Sequence, residues 1–225
     1  ASGVVLVPWP NRVRDGRWTH DGQSLQLALT EPQLGNASHG LLRYTAYQLA
    51  HEQADAVTIT ANVVPQTGYP FHLVTEVTYA LHEARLVVTH RIRNVGEKSA
   101  PVALGTHPYF CIGGTKTEDL TVHLDAATQF ELDGRLLPGA EVPIDPAVDL
   151  RHARRVGDVT LNTAFSNIAR AQDDTMRSTL TAPTGEQVEV WGGSGFEYMV
   201  LYTTDRYPGH ELAIAIEPMT APADA

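Results

Sequence analysis

The sequence predicts an all-β protein, folded as one large antiparallel β-sandwich with very little helix. Apolar and polar residues alternate with a period of two along most of the chain, which is typical of half-buried strands. Turn-forming pairs such as Asp21-Gly22 and Thr184-Gly185 separate these segments at short intervals. No segment sustains the 3.6-residue period of a long amphipathic helix. Many short strands with almost no helix favour a sandwich.

The predicted strands follow one another in order along the chain. The clearest signal is a hairpin, because residues 73–81 and 86–94 alternate on both sides of the turn His82-Glu83-Ala84. The full set of predicted strands comprises residues 4–7, 17–19, 25–29, 43–50, 56–63, 73–81, 86–94, 120–124, 178–181, 187–191, 198–203 and 212–216. Only residues 146–156 have the composition of a helical turn or two. The last strand is expected to stop at Ile216, because Pro218 has no N–H to contribute to a sheet.

Composition predicts a single domain over residues 1–225. Hydrophobic residues make up 43% of the chain, which is enough for one large core. The net charge is -10 and there is no run of Lys or Arg, which disfavours nucleic acid and membrane surfaces as partners and leaves a small molecule. No stretch resembles a signal peptide or a membrane span, so we expect a cytoplasmic protein. Cys111 is the only cysteine and cannot form an internal disulfide.

Two segments carry residues suited to proton transfer. His107 is flanked by Pro108 and two aromatic residues, and Glu217 follows an alternating apolar strand. Each has a structural alternative: such a His is often a hydrogen-bonded core residue, and a Glu at a strand end is often solvated. Together, an imidazole and a carboxylate at the ends of apolar runs are suited to acid-base catalysis.

Other chemistries have weak support. The ten histidines are scattered and form none of the short spacings of a metal site, so no metal is predicted. The glycine-rich residues 191–195 have neither the following helix nor the Lys of a phosphate-binding loop. Ser194 lacks the strand-turn-helix setting of a hydrolase nucleophile.

Five strings of residues carry a resemblance to a known family. They are Pro8-Trp9-Pro10-Asn11-Arg12-Val13-Arg14-Asp15-Gly16, His39-Gly40, Gly68-Tyr69-Pro70-Phe71, Thr106-His107-Pro108-Tyr109-Phe110 and Glu217-Pro218-Met219-Thr220. Their order and spacing resemble those of the aldose 1-epimerase (galactose mutarotase) family over essentially the whole chain. The resemblance implies the large β-sandwich of that family, which agrees with the fold predicted from the alternation.

The resemblance also implies an activity and a set of site residues. The family interconverts the α and β anomers of an aldose such as galactose or glucose, and it uses no cofactor. Glu217 would be the base that takes the proton from the O1 hydroxyl, and His107 would be the acid that protonates the ring oxygen O5. Asn11, Arg12 and His39 would bind the sugar. We expect a monosaccharide as the partner and a monomer or weak dimer as the assembly.

One position departs from the family pattern. Where the family commonly has an Asp that contacts a sugar hydroxyl, this chain has Asn162, in the string Leu161-Asn162-Thr163-Ala164-Phe165. Asn162 is neutral and can donate as well as accept a hydrogen bond. The resemblance therefore implies a sugar contact at Asn162 with an altered hydroxyl preference.

Two other functions remain open at the level of sequence. A hexose-6-phosphate 1-epimerase would need a cluster of cations for the phosphate. Four arginines could supply it: Arg12, Arg14, Arg17 and Arg43. A non-catalytic sugar-binding module on the same fold would need no paired proton donor and acceptor, so the presence of both His107 and Glu217 favours an enzyme.

The resemblance carries one further expectation about the ends of the chain. Members of the family usually have several strands before the first string and one or two after the last. We therefore expect the domain to lack its N-terminal and C-terminal strands, and Glu217 to be poorly held as a result.

Overall fold

The computed structural model describes residues 2–225 and confirms the all-β prediction. Within those residues the chain forms twenty strands and three 3₁₀ helices. No helix in this range has the length and apolar character needed to cross a membrane. The strands are β1 (Val4–Leu6), β2 (Arg12–Arg14), β3 (Arg17–His20), β4 (Gln23–Gln26), β5 (Asn36–Ser38), β6 (Gln48–Glu52), β7 (Ala56–Val63), β8 (Leu73–His82), β9 (Arg85–Asn94), β10 (Gly105–His107), β11 (Tyr109–Phe110), β12 (Thr121–Leu124), β13 (Ala126–Leu132), β14 (Pro138–Pro143), β15 (Arg154–Arg155), β16 (Asn162–Ile168), β17 (Met176–Thr181), β18 (Gln187–Gly192), β19 (Tyr198–Thr204) and β20 (Ala213–Met219). The 3₁₀ helices span Thr117–Asp119, Pro146–Val148 and Val156–Asp158.

The largest sheet has eight antiparallel strands and holds β20 in its middle. Its order is β1-β10-β20-β19-β16-β13-β14, and β11 also pairs with β20. One edge of β20 pairs with β19, and the other pairs with both β10 and β11. Every residue from Ala213 to Met219 is buried. The expectation that Glu217 would be poorly held is therefore wrong, because its strand has neighbours on both sides.

A four-stranded sheet covers one face of the large sheet and completes the predicted sandwich. Its order is β15-β12-β17-β18. The main hydrophobic core lies between the two sheets and includes Ile214 and Ile216 of β20 together with Val122 and Leu124 of β12. In each strand these residues are two positions apart, so the period of two places them on the buried face.

A second four-stranded sheet, β6-β7-β8-β9, contains the predicted hairpin in β8 and β9. Leu73 and Val77 of β8 belong to its core, together with Val5 and Val7 at the edge of the large sheet. Two-stranded ribbons, β2 with β5 and β3 with β4, lie beside this core. Trp18 of β3 packs against the cluster. The ribbon β2–β5 carries the loops that approach the candidate site.

Several predicted elements differ from the observed ones. The strand predicted at residues 43–50 is observed as β6, at residues 48–52. It begins later than predicted because a turn precedes it, in which Thr45 N donates to Leu42 O. The region 146–156 contains one short 3₁₀ helix and the start of a second. β13, β14 and β16 were not predicted, because their many small and polar residues give a weak alternation.

β20 runs on to Met219 and does not end at Ile216, as predicted. Its pairing with β19 is unbroken from Ala213 to Met219. N–H groups two residues apart point to the same edge of a strand. Ile216 N donates to Pro108 O, which lies on the edge of β20 that faces away from β19. The absent N–H of Pro218 therefore faces β10, where it removes a single ladder bond.

Candidate active site

The candidate site lies on the face of the large sheet that points away from the main core. Side chains alternate along β20, so Ile214 and Ile216 enter that core while Ala215 and Glu217 point to the opposite face. The register with β19 puts Val200 beside Glu217. The carboxylate therefore projects from the centre of the sheet, with an apolar neighbour on the β19 side.

Strand register brings His107 to Glu217. β11 pairs with β20 with Tyr109 opposite Ala215, and the pairing of β10 with β20 has the same register. Two residues along, this register sets His107 opposite Glu217. Opposed side chains on antiparallel strands have Cβ atoms about 4.5–5.5 Å apart. His107 Nε2 accordingly lies 3.4 Å from Glu217 Oε1.

Burial changes the protonation of both groups. Glu217 is 2% exposed and His107 is 8% exposed. Burial raises the pKa of Glu217 well above its usual range, and the charge of Arg12 offsets this only in part. Burial lowers the pKa of His107 to about 4. Between these two pKa values the pair holds a single proton, which burial alone would place on the carboxyl group.

His39 is the second imidazole of the site. Its backbone has φ of +65°, and its N–H donates to Asn11 O over 2.7 Å, so the loop after β5 lies on the loop before β2. Gly40 follows, and a Cβ there would lie 2.2 Å from Val7 O, so only glycine allows this approach. The His39 ring lies edge-on to His107, with centroids 5.6 Å apart. Burial, followed by the charge of His107, lowers the pKa of His39 to about 3, which keeps the ring neutral.

Arg12 reaches the site with three of its N–H groups already donating to neighbouring side chains. Its Nε and Nη2 donate to the two carboxylate oxygens of Glu31, at 2.7 and 3.0 Å, and Nη1 donates to Asn11 Oδ1 at 3.1 Å. Burial raises the pKa of Glu31, but the hydrogen bonds and charge of Arg12 bring it below its usual value. A guanidinium has five N–H groups, so two remain for a ligand.

Asn162 begins β16, two strands away from β20. It pairs with Tyr202 of β19, and Tyr202 pairs with Ala215 of β20. The three side chains therefore share the face of Glu217, and Asn162 stands about 10 Å to the side of Ala215. Asn162 is exposed, so its amide is free to meet a ligand.

A small pocket is lined by three of the four predicted binding residues, but not by His39 or by the pair His107 and Glu217. Its lining includes Asn11, Arg12, Phe130, Leu132, Asn162, Ala164, Val200, Pro222 and Ala223. Val200 is the cross-strand neighbour of Glu217, so the pocket opens next to the carboxylate. The C-terminal segment helps to close it, because Asp224 N donates to Arg12 O over 2.7 Å. His39 lies against His107, Asn11 contacts both His39 and Arg12, and the charge of Arg12 acts on the pKa of Glu217. Asn162 lies two strands from Glu217, on the lining of the neighbouring pocket.

Close packing connects the strand that carries His107 to the loop that carries Asn11. A small buried cluster lies beneath them, consisting of Leu6, Val200 and Met219. A Cβ at Gly105 would lie 2.7 Å from Pro10 Cβ, so glycine lets the loop lie directly on β10. The position of Asn11 is therefore coupled to that of His107, two residues after Gly105.

Two tyrosines belong to the site although the sequence analysis did not select them. Tyr109 stacks on His107, with centroids 5.2 Å apart and planes at 25°, and Tyr202 meets His107 edge-on at 6.4 Å. Tyr109 stands in the string around His107 and could have been found there. Nothing in the sequence marks Tyr202, since its place follows from the pairing of β16, β19 and β20.

The arrangement is suited to moving protons between two neighbouring atoms of a ligand. A nitrogen and an oxygen lie 3.4 Å apart at the centre of the site, and hydrogen-bonding side chains line its border. In the described range 2–225, no three His, Cys, Asp or Glu side chains are grouped so as to hold a metal ion.

Comparison with known proteins identifies relatives along the entire chain. A sequence profile of the family described as aldose 1-epimerase matches residues 1–224. The uncharacterized protein YihR of Escherichia coli strain K12 is 29% identical over 225 residues, a match that covers 99% of this chain and 71% of YihR.

Solved structures confirm the fold. A galactose mutarotase-like protein from Clostridium acetobutylicum superposes with a TM-score of 0.85 at 18% identity, covering 98% of this chain and 69% of its own. A GalM/aldose epimerase homologue from C. elegans gives a TM-score of 0.83 at 18% identity, covering 99% of this chain and 75% of its own. At this identity the two structures establish the galactose mutarotase-like sandwich and nothing about the ligand.

Proposed function

The chain belongs to the aldose 1-epimerase family, and we propose that it is a mutarotase that interconverts the α and β anomers of a hexose such as galactose or glucose. The observation that best supports this is the contact of 3.4 Å between His107 Nε2 and Glu217 Oε1 on a buried sheet face. In a pyranose, the hydroxyl oxygen O1 and the ring oxygen O5 are bonded to the same carbon, C1. A base and an acid this close together can reach both oxygens at once.

The proposed reaction opens and recloses the sugar ring. The Glu217 carboxylate accepts the proton of the O1 hydroxyl, and the electrons of that O–H bond form the C1=O1 double bond. The C1–O5 bond breaks, and His107 Nε2 donates its proton to O5. Rotation about C1–C2 turns the other face of the carbonyl towards O5. The two groups then act in reverse and close the ring as the other anomer.

The shared proton suits this cycle. Before ring opening the proton of the pair is on His107, and after it the proton is on Glu217, so the total charge of the pair does not change. Burial disfavours separate charges, and it raises the pKa of Glu217 and lowers that of His107. Burial therefore favours the arrangement that follows ring opening and disfavours the charged pair that precedes it. Positioned acid-base groups typically contribute about 10²–10⁴ in rate.

The surrounding side chains supply hydrogen bonds for the other hydroxyl groups. His39 is neutral and offers one donor and one acceptor, and Asn11 and Asn162 each offer both. Arg12 retains two N–H groups after its contacts with Glu31 and Asn11. His39 and Arg12 lie near the acid-base pair, and Asn11 and Asn162 line the neighbouring pocket, so we assign all four to sugar binding in this proposal.

A hexose 6-phosphate is the second candidate substrate, and it rests on one arginine. Three of the four arginines have other partners: Arg12 binds Glu31, Arg14 binds Asp133 and Asp224, and Arg17 binds Gln26. Arg43 has no carboxylate within 4.0 Å in residues 2–225, and its charge contributes to the lowered pKa of His39. A single free guanidinium falls short of the cluster that a phosphate dianion usually binds. The neutral sugar is therefore the leading candidate.

Polarimetry of freshly dissolved sugars tests the proposal. The rate at which α-galactose and α-glucose approach anomeric equilibrium is measured with the wild-type protein and with an equal concentration of Glu217→Gln. Anomeric proton signals in NMR give the same rate for glucose 6-phosphate. We expect acceleration of a neutral sugar by the wild type and almost none by the variant.

The other outcomes separate the alternatives. Faster conversion of glucose 6-phosphate than of either neutral sugar would favour the second candidate. Saturable binding of a sugar, with no acceleration of any of the three, would contradict catalysis and support a sugar-binding module.

A further inference from the structure

Among residues 2–225, no hydrogen-bond partner lies at the nitrogen of the His107 ring that faces away from Glu217. Its Nε2 faces Glu217, while Nδ1 is buried and has no hydrogen-bond partner among residues 2–225. In many sites the nitrogen that takes no part in the chemistry makes a hydrogen bond that sets both the ring orientation and the tautomer. Another interaction must do this for His107.

Three aromatic rings surround His107. His39 lies edge-on at 5.6 Å and Tyr202 lies edge-on at 6.4 Å. Tyr109 is the nearest, at 5.2 Å, and it is the only one of the three whose plane is close to parallel, at 25°. A parallel neighbour limits tilting of the ring, whereas an edge-on neighbour leaves more freedom.

The backbone explains why Tyr109 can stack on His107. Pro108 separates the two residues, so both side chains point to the same face of the sheet. Tyr109 is itself held by its pairing with Ala215 and by contact with Tyr207, whose ring centroid is 4.6 Å away. These contacts restrict the Tyr109 ring, so it offers His107 a rigid surface to stack on.

We propose that Tyr109 is a positioning residue for His107, whose ring it holds by stacking in place of a hydrogen bond at Nδ1. The consequence for catalysis rests on the proposed function, whereas the effect on the ring does not. The stacked ring keeps Nε2 directed at Glu217 and keeps water away from the imidazole. The Tyr109 hydroxyl has no part in this, since burial, followed by the charge of Glu217, raises its pKa to about 12 and it stays neutral.

Two substitutions separate the ring of Tyr109 from its hydroxyl. Tyr109→Phe keeps the stacking surface, and Tyr109→Leu removes it. Tyr198→Leu is the matched control, because Tyr198 lies on the same sheet face but packs against Phe130, at 6.1 Å. Thermal unfolding followed by circular dichroism checks that each variant is folded.

The main readout is ¹⁵N NMR of the His107 ring nitrogens as a function of pH, assigned by the loss of signals in His107→Gln. The ionisable groups that face this ring are Glu217, His39, Tyr109 and Tyr202, with Arg43 further away. In wild type, Tyr109→Phe and Tyr198→Leu, we expect one tautomer and a pKa near the value that burial imposes. In Tyr109→Leu we expect mixed tautomers and a His107 pKa that moves towards the ordinary value of about 6.5.

Mutarotation kinetics give the second readout. Tyr109→Leu should lower kcat by about 10-fold to 100-fold with little change in KM, and Tyr109→Phe should restore it. Unchanged His107 signals in Tyr109→Leu, or equal losses in the Leu and Phe variants, would overturn the proposal. If the wild type accelerates no sugar, the proposed function fails, and the NMR result still decides whether Tyr109 orients the ring.

Discussion

At the scale of single residues, burial turns two ordinary side chains into one proton-sharing unit. Neither His107 nor Glu217 is unusual in type, but both are almost inaccessible and they lie 3.4 Å apart. Burial raises the pKa of the carboxyl group and lowers that of the imidazole. The same burial that is central to the proposed proton transfer makes the charged form of Glu217 unfavourable for folding.

The first prediction concerns Glu217→Gln. The folded-state pKa of Glu217 is raised above its ordinary value of 4.5. The contribution of Glu217 to stability is therefore complete below pH 4.5 and is lost as the pH rises through the folded-state pKa. A neutral Gln avoids this loss. We expect kcat to fall by about 10²–10⁴ while the free energy of unfolding at pH 8 is at least that of the wild type.

Urea unfolding at pH 5 and pH 8, beside polarimetry, checks this prediction. The advantage of the variant should be smaller at pH 5. A variant that is clearly less stable than the wild type at pH 8 would mean that its inactivity reflects lost structure and not the lost base.

At the scale of elements, the site depends on strands that are distant in sequence. β20 is placed between β19 and the pair β10–β11, and Pro108 separates these two short strands. This pairing sets His107 opposite Glu217. Close approach at Gly105 then attaches the loop of Asn11 to β10.

The second prediction tests this coupling with Gly105→Ala. The added Cβ would lie 2.7 Å from Pro10 Cβ and 3.1 Å from Met219 Cγ, so the loop or the strand must shift. We expect a loss of stability of about 1–3 kcal/mol, and a loss of activity because a displacement of about 1 Å at a catalytic group can lower the rate about 10²-fold. Chemical denaturation and polarimetry give the two values.

Gly193→Ala is the matched control, because a Cβ there meets no atom within 4 Å. It should leave both stability and activity close to wild type. Normal activity in Gly105→Ala would show that the loop of Asn11 can move without affecting the acid-base pair.

At the scale of the whole molecule, the sequence predicted the kind of fold better than the arrangement of its parts. Period-two alternation predicted the sandwich and the hairpin of β8 and β9, since both signals are local. The apolar runs next to His107 and Glu217 marked these two residues, and the resemblance supplied the role of each. Pairing between distant strands leaves no local signal, so the place of Tyr202 and the continuation of β20 through Pro218 were not predicted. The contact between Arg12 and Glu31 was missed for the same reason.

The third prediction concerns acid stability. Burial holds the pKa of His39 near 3 and those of His90 and His107 near 4, below the ordinary 6.5. Each folded-state pKa lies below the unfolded value, so the unfolded chain binds more protons between these values. Stability is then complete above pH 6.5 and falls as the pH drops towards 4.

Urea unfolding at several pH values between 6.5 and 5 measures this loss. His90 lies on β9 opposite Val77, outside the site. His90→Leu should reduce the slope of the unfolding free energy against pH by the amount that corresponds to about one bound proton. It should leave the rate of mutarotation unchanged. An unchanged slope would show that His90 does not contribute.

The most direct test of the central claim, that His107 and Glu217 act as one unit, is a double-mutant comparison of kcat for anomer conversion. The rates of wild type, His107→Gln, Glu217→Gln and the double variant are measured with the same sugar, after subtraction of the spontaneous rate. We predict that each single variant loses about 10²–10⁴ and that the double variant is no more than a few-fold slower than the worse single one, because groups that act together are not additive. Losses that multiply in the double variant, or a single variant that retains a tenth of wild-type kcat, would contradict the account.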